Sequence, residues 1–379
     1  VTGAGARTLV VHSGTYKTGS SAIQRYLEQA EDAGVLGHAT YPRIGRALGR
    51  QHLNLNAELR EGPLFSPALG SWDDLLAAAT GGQHTTTIVS TENFSLLSED
   101  QIRSIGDMCR RAGIAVRWVH YLREQSSCYN AFYVERLVNM RPEFADVIDL
   151  PFEDFAEWSP LDLGFLTYST FAETVLRAIP DVDLVLRPFA RAEMVGGDVV
   201  PDFCATTGIP FVPEQSGRAN VGTGWRTVET ARRLTPVIAA ADLPRRVADF
   251  ENPAAAGMRW AALLRKELVL AGWPHGWNRD SAVYLRPEFE AVLRDRHRAD
   301  NERVGRIAGF DWAAIADAEG SKSYNIGEYA DIPGDQVAAV TAAVMTALVR
   351  MPEEIAALPR SAEPGAPGIA GRLARRLSR

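Results

Sequence analysis

The sequence predicts an α/β fold: a doubly wound parallel sheet flanked by helices, with a helical C-terminal portion. Three observations carry that expectation. Short, nearly continuous apolar runs recur at RTLVVH (7–12), TTTIVST (85–91) and IAVRWVHYL (114–122), with VDLVLRPF (182–189) as a fourth, and this is how strands buried on both faces read. Helical patterns stand between them, which is the alternation of a wound sheet. A glycine-containing loop, HSGTYKTGSS (12–21), follows the first run at once.

Taken in order, the first run leads through that loop into SSAIQRYLEQAEDAG, where Ile23, Tyr26, Leu27 and Ala30 recur at helical spacing. After the second run, SEDQIRSIGDMCRRAG places Ser98 and Gln101 at capping-box offset and Gly113 at the close. From about 210 the pattern turns helical throughout, in WRTVETARRL, MRWAALLRKELVLAG, PEFEAVLRDRHRADNERVG and DQVAAVTAAVMTALVRM. The expected organisation is one domain over 1–352, with an α/β nucleotide-binding core at 1–210 and a mainly helical portion at 211–352. A linker (RSAEPGAPG, 360–368) and a short basic tail (GIAGRLARRLSR) follow within 353–379.

Composition narrows the function classes. A formal net charge of −7 argues against general nucleic-acid binding, which leaves a basic footprint. No apolar run approaches the roughly 18 to 20 residues of a membrane span, so no integral membrane segment is expected. Without a signal-peptide pattern the expectation is a cytoplasmic protein. Three widely spaced cysteines, Cys109, Cys128 and Cys204, fit neither a disulfide framework nor a cysteine-rich zinc site, and the histidines form no cluster of metal-ligand spacing. No metal is expected.

The loop carries the chemistry. Gly14, Gly19 and Ser21 stand at the offsets of the phosphate-cradling pattern G-x-x-x-x-G-K-[ST]. The position of its lysine, however, is Ser20, and a lysine appears inside the loop as Lys17. Loop N–H groups and a helix N-terminus bind an anion without side-chain charge, and Ser20 and Ser21 add hydroxyl donors. A nucleotide triphosphatase needs the missing lysine to span its phosphates. This loop suits one phosphate, with Lys17 reaching toward whatever leaves it. Ligands of such sheets bind beyond the carboxyl ends of the strands, where Glu92 follows the second run and Arg123 the third.

HSGTYKTGSS, extended by AIQRYL, resembles the 5′-phosphosulfate loop of the sulfotransferases that use 3′-phosphoadenosine 5′-phosphosulfate (PAPS). That resemblance implies a P-loop-like fold and sulfuryl transfer without a metal, with adenosine 3′,5′-bisphosphate (PAP) as product. It assigns Gly14, Thr15, Lys17, Thr18, Gly19, Ser20 and Ser21 to the cradle, with Lys17 stabilising the bridging oxygen. It also implies that Arg123 and a serine eight residues on grip the 3′-phosphate. Position 131 is Ala131, so Ser126 or Ser127 would have to substitute. YPRIG…QHLNLN, LRPFARAEMVGGDVVPDF and GRANVG look like segments of bacterial members acting on carbohydrates or small metabolites. The acceptor is expected to be such a molecule.

An acceptor hydroxyl or amine must lose a proton, so a general base is expected near Lys17. His52, with an ordinary pKa near 6.5, and Glu92, whose pKa burial would raise, both qualify. His12, ending a central strand, reads as a buried hydrogen-bonded imidazole. Phe65, Trp72, Phe152, Phe155 and Trp158, in segments 36–75 and 139–170, are expected to shape the acceptor side. Two alternatives stand beside the enzyme: a catalytically silent nucleotide-binding protein on the same fold, and a P-loop kinase with an aberrant loop.

Overall fold

A computed structural model describes residues 7–47, 50–62, 64–140, 148–158, 166–215, 223–240, 253–279, 281–318 and 324–356. Among these, five strands form one all-parallel sheet: β1 (Arg7–Gly14), β2 (Ala39–Thr40), β3 (Thr86–Ser90), β4 (Ile114–Leu122) and β5 (Asp183–Pro188), in the order β2-β3-β1-β4-β5. This is a doubly wound, P-loop-like α/β sheet flanked by helices. Val11 registers with Val89 on one side and Trp118 on the other, so β1 is central and its alternate side chains go to opposite faces.

The helices sort by crossover direction. α1 (Ser20–Asp32) leads from β1 out toward β2, while α3 (Trp72–Gly81), α4 (Glu99–Arg111) and α7 (Tyr168–Ala178) lead back across the sheet. Right-handed crossovers put these two sets on opposite faces. The cores agree. Val10, Ile88 and Val119 pack with Ile23, Tyr26 and Leu27 of α1 and with Phe203 of α8 (Val199–Thr207). Leu9, Val11, Val89 and Trp118 pack instead with Leu75, Ile102, Ile105, Phe171 and Val175. The loop after β1 therefore opens where neighbouring crossovers diverge, the usual ligand crevice of such sheets.

Local signals decide the element ends. Ser98 and Gln101 form the reciprocal capping box of α4, and Gly113, at φ 68°, stops it. β2, at two residues, is too short to leave a pattern. Before α3 lies α2 (Leu53–Leu59), and after β4 come α5 (Gln125–Val138) and α6 (Phe152–Trp158).

The C-terminal portion consists of α9 (Trp225–Ala240), α10 (Pro253–Gly272), α11 (Pro287–Ala308), α12 (Trp312–Ala318) and α13 (Gly334–Ala356). It joins the sheet through one continuous core in which Tyr129 and Phe132 of α5 meet Val228, Leu264, Leu293 and Val340. Trp72, Phe152 and Phe155, at 1%, 3% and 1% exposure, belong to the core rather than to a pocket wall, which corrects the expectation for them. α13 runs past 352 to Ala356. The basic tail, the linker beyond Ala356 and GRANVG lie outside the described residues, as does the side chain of Trp158. Among the described residues no helix is long and apolar enough to cross a membrane.

Candidate functional site

The loop from Thr15 to Gly19 is built to leave a helix terminus open. Gly19 at the N-cap of α1 adopts φ 77° and offers no side chain to its N–H groups. Capping by Ser, Thr, Asp or Asn is therefore absent, and the positive end of α1 faces the crevice. Both loop glycines are required by space. A Cβ on Gly14 would lie 2.5 Å from Thr18 Oγ1, and one on Gly19 would lie 2.7 Å from Val199 Cγ1.

Around this terminus the hydroxyls differ in role. Thr18 donates to the carbonyl of Thr15 at 2.7 Å and closes the turn. Thr15 Oγ1 and Ser20 Oγ are buried and make no hydrogen bond of good geometry, Thr15 facing the Tyr168 hydroxyl and Ser20 the Glu92 carboxyl. Ser21 is exposed. Two buried, weakly engaged hydroxyls and an uncapped helix terminus together offer a donor set suited to one tetrahedral oxyanion.

Lys17 occupies the left-handed region at φ 67°, a conformation that costs a non-glycine residue roughly 1 kcal/mol or more. Arg123, delivered by the end of β4, holds it there by donating from Nη1 to the Lys17 carbonyl at 2.7 Å. The Lys17 ammonium reaches Glu135 Oε1 at 3.0 Å, and Arg265 Nη1 of α10 stands 3.7 Å from the same oxygen. Glu135 comes from α5, whose Cys128, seven residues earlier, donates its thiol to the Tyr16 carbonyl at 3.6 Å. One face of α5 thus lies over the loop.

Glu92 arrives at the same place from the first turn after β3. It is partly buried. Burial first, then the nearby Glu135 carboxylate, push its pKa up to about 7, while Lys17 and the facing Ser20 hydroxyl pull the other way. A carboxyl that titrates near neutrality beside an ammonium and an anion cradle is equipped to take a proton at pH 7. Tyr16 packs against Phe132 with ring centroids 5.4 Å apart, and burial with Glu92 and Glu135 raises its phenol to about 12, so it stays neutral.

Lys17, Glu92 and Arg123 therefore converge, as the topology of the runs implied. His52 does not present itself to that cluster. It is fully buried, its Nδ1 accepts from the Ser90 N–H at 3.2 Å and its Nε2 lies 3.1 Å from the Pro42 carbonyl. Burial lowers its pKa to about 3; both nitrogens serve to fasten β3 to the 42–52 segment. His12 is likewise interior, with Nδ1 2.7 Å from Ser90 Oγ.

Ser126 is placed differently from its expected role, with both its N–H and its hydroxyl engaged, whereas Ser127 gives up only its N–H. Glu124 caps α5: its carboxylate accepts the N–H of Ser126 at 2.9 Å, the N–H of Ser127 at 2.7 Å and the Ser126 hydroxyl at 2.6 Å. These donors are filled by the protein's own anion. Glu135 was not among the residues the sequence singled out. Its only signal was its spacing of seven from Cys128 on a helix starting beyond the end of β4.

No family model, no curated protein and no solved structure matches this chain.

Proposed function

We propose that the chain is a sulfotransferase, moving the sulfuryl group of PAPS to a hydroxyl or amine of a carbohydrate or small metabolite. The observation that carries this reading is the open, uncapped α1 terminus beside the buried Thr15 and Ser20 hydroxyls, joined by an in-loop lysine and a near-neutral carboxyl.

In this reading the cradle of Gly14, Thr15, Thr18, Gly19 and Ser20 holds the 5′-phosphate that remains. Lys17 leaves Glu135 for the bridging oxygen, which gains charge as its bond to sulfur breaks. Glu92 accepts the acceptor's proton while the new bond to sulfur forms, and the electron pair of the broken bond departs with the bisphosphate. Lys17 thus sits where charge develops and Glu92 where a proton is released. A kinase reading has less support, because the position that grips the transferred phosphoryl group is Ser20, whose hydroxyl carries no charge.

A thermal-shift titration with adenosine 3′,5′-bisphosphate in the presence of a metal chelator tests the reading. Saturating nucleotide should raise the midpoint, since a ligand that binds only the native state stabilises it by mass action. No shift at any concentration would remove the cradle assignment.

A further inference from the structure

The segment QHLNLN (51–56) lies behind the turn that carries Glu92. The ladder of β3 with β1 ends at Ser90, with one further bond from the Thr91 N–H to the His12 carbonyl at 3.2 Å. Glu92 opens the short helical turn Glu92–Leu96 beyond it. Side chains fix what the ladder does not. His52 is the N-cap of α2 and Asn56 stands one turn on, so both share a helix face, and that face meets the end of β3. The His52 N–H donates to the Ser90 carbonyl at 2.8 Å, and the Ser90 N–H to His52 Nδ1 at 3.2 Å. The Thr91 hydroxyl donates to Gln51 Oε1 at 3.1 Å and accepts the Asn93 N–H at 3.3 Å. Asn56 Nδ2 donates to the Asn93 carbonyl at 2.9 Å.

These bonds land on Ser90, Thr91 and Asn93, on both sides of Glu92. Asn54, pointing elsewhere, fastens Ser66 and Gly70 instead. His52 and Asn56 are 0% and 3% exposed. Burying such polar groups costs free energy that an apolar residue avoids, and what they hold explains their presence. Phe94, fully buried against Trp72 and Trp118, anchors the far end of the turn.

Resting on the sulfuryl-transfer reading, in which Glu92 is the base, we infer that Gln51, His52 and Asn56 are positioning residues that buckle the 90–93 turn and keep the Glu92 carboxyl in the crevice beside Lys17. A reacting group displaced by about 1 Å can lose about a hundredfold in rate. The groups facing Glu92 come from the loop (Lys17 and Tyr16), α1 (Ser20) and α5 (Cys128 and Glu135). Arg60 after α2 and Arg136 of α5 act on Tyr16. The buckle itself bonds to the residues around Glu92, so loosening it moves the carboxyl out of these surroundings.

The test uses the full chain and needs no acceptor. Glu92→Gln is introduced into the parent chain and into Thr91→Val, Asn56→Leu, Thr91→Ser and Asn54→Leu, and each pair is melted from pH 4.5 to 8. In the parent chain Glu92→Gln should gain about 4 °C above pH 7, since the buried carboxyl loses its proton there at a cost in stability. Thr91→Val keeps the shape but not the bond to Gln51, and Asn56→Leu loses the bond to Asn93. In both, Glu92 turns toward water and the gap should shrink to about half or less. Thr91→Ser keeps the hydroxyl and should keep the gap; Asn54→Leu should lower both midpoints and keep it too. An unchanged gap in Thr91→Val, or an equal shrinkage in Asn54→Leu, would overturn the inference, because a merely structural role moves midpoints and not their pH dependence. Adenosine 3′,5′-bisphosphate with chelator separates this outcome from the functional reading. Absence of a shift in the parent chain removes that reading whatever the gap does, whereas stabilisation retained in Thr91→Val beside a shrunken gap supports the buckle.

Discussion

Replacing Glu92 by Gln should stabilise the protein at alkaline pH while removing its turnover. Glu92 has an ordinary pKa of 4.5, raised to about 7 by burial and by Glu135. Between those values the native state keeps a proton that the unfolded chain has lost, so stability falls as pH rises through the window. At about 1.4 kcal/mol per tenfold, the full window is worth about 3 kcal/mol, an upper figure for a carboxyl that keeps some exposure. Gln cannot ionise and escapes this loss. With an unfolding entropy near 2 cal/mol/K per residue, about 3 kcal/mol in a chain of 379 residues corresponds to about 4 °C. Melting curves of both proteins from pH 4.5 to 8 provide the assay. The gap in favour of Glu92→Gln should open by about that amount above pH 7, while transfer falls about a hundredfold or more with loss of the base. A gap that is flat across pH would refute the electrostatic account of this site.

Three further outcomes follow from the same geometry. Lys17→Ala should lower turnover about a hundredfold while nucleotide affinity falls much less, and adding Ser20→Lys should not restore it, because that cation would grip the phosphate that stays; recovery in the double variant would contradict the role given to the loop lysine. Gly19→Ala forces a Cβ to 2.7 Å from Val199 and holds alanine at φ 77°. Its cost should be about 1–2 kcal/mol or more in denaturant melts, together with loss of nucleotide-induced stabilisation. His12, His52 and His120 are all buried with pKa values lowered from 6.5 to about 3. Stability from their neutral forms is complete above pH 6.5 and falls toward pH 3, each adding about 1.4 kcal/mol per pH unit, so His120→Phe should measurably flatten the acid limb of a stability–pH curve.

The sheet was legible because its strands are buried on both faces: RTLVVH, TTTIVST and IAVRWVHYL stand out as apolar runs, and β4 has the predicted bounds Ile114–Leu122. The α4 cap and the two loop glycines were legible because each rests on local stereochemistry. Glu135 was not, because its meeting with Lys17 depends on how α5 crosses the loop, a relation spanning 118 residues. The roles of Ser126 and His52 were obscured for a related reason. Glu is not among the preferred N-caps, so Glu124 gave no sign of sealing α5. The partners of His52 come from Pro42 and Ser90, which no local pattern links to it. Local rules thus placed the glycine loop and its uncapped helix, while the groups around Lys17 came from tertiary packing.

A crystal structure of the chain with adenosine 3′,5′-bisphosphate, grown without divalent metal, tests the central claim most directly. The account predicts the 5′-phosphate seated at the α1 terminus, within hydrogen-bond reach of the Thr15 and Ser20 hydroxyls, with the Lys17 ammonium swung from Glu135 toward the leaving oxygen. A nucleotide bound away from that loop, or a 5′-phosphate there with Lys17 still paired to Glu135 and pointing away from it, would contradict the account.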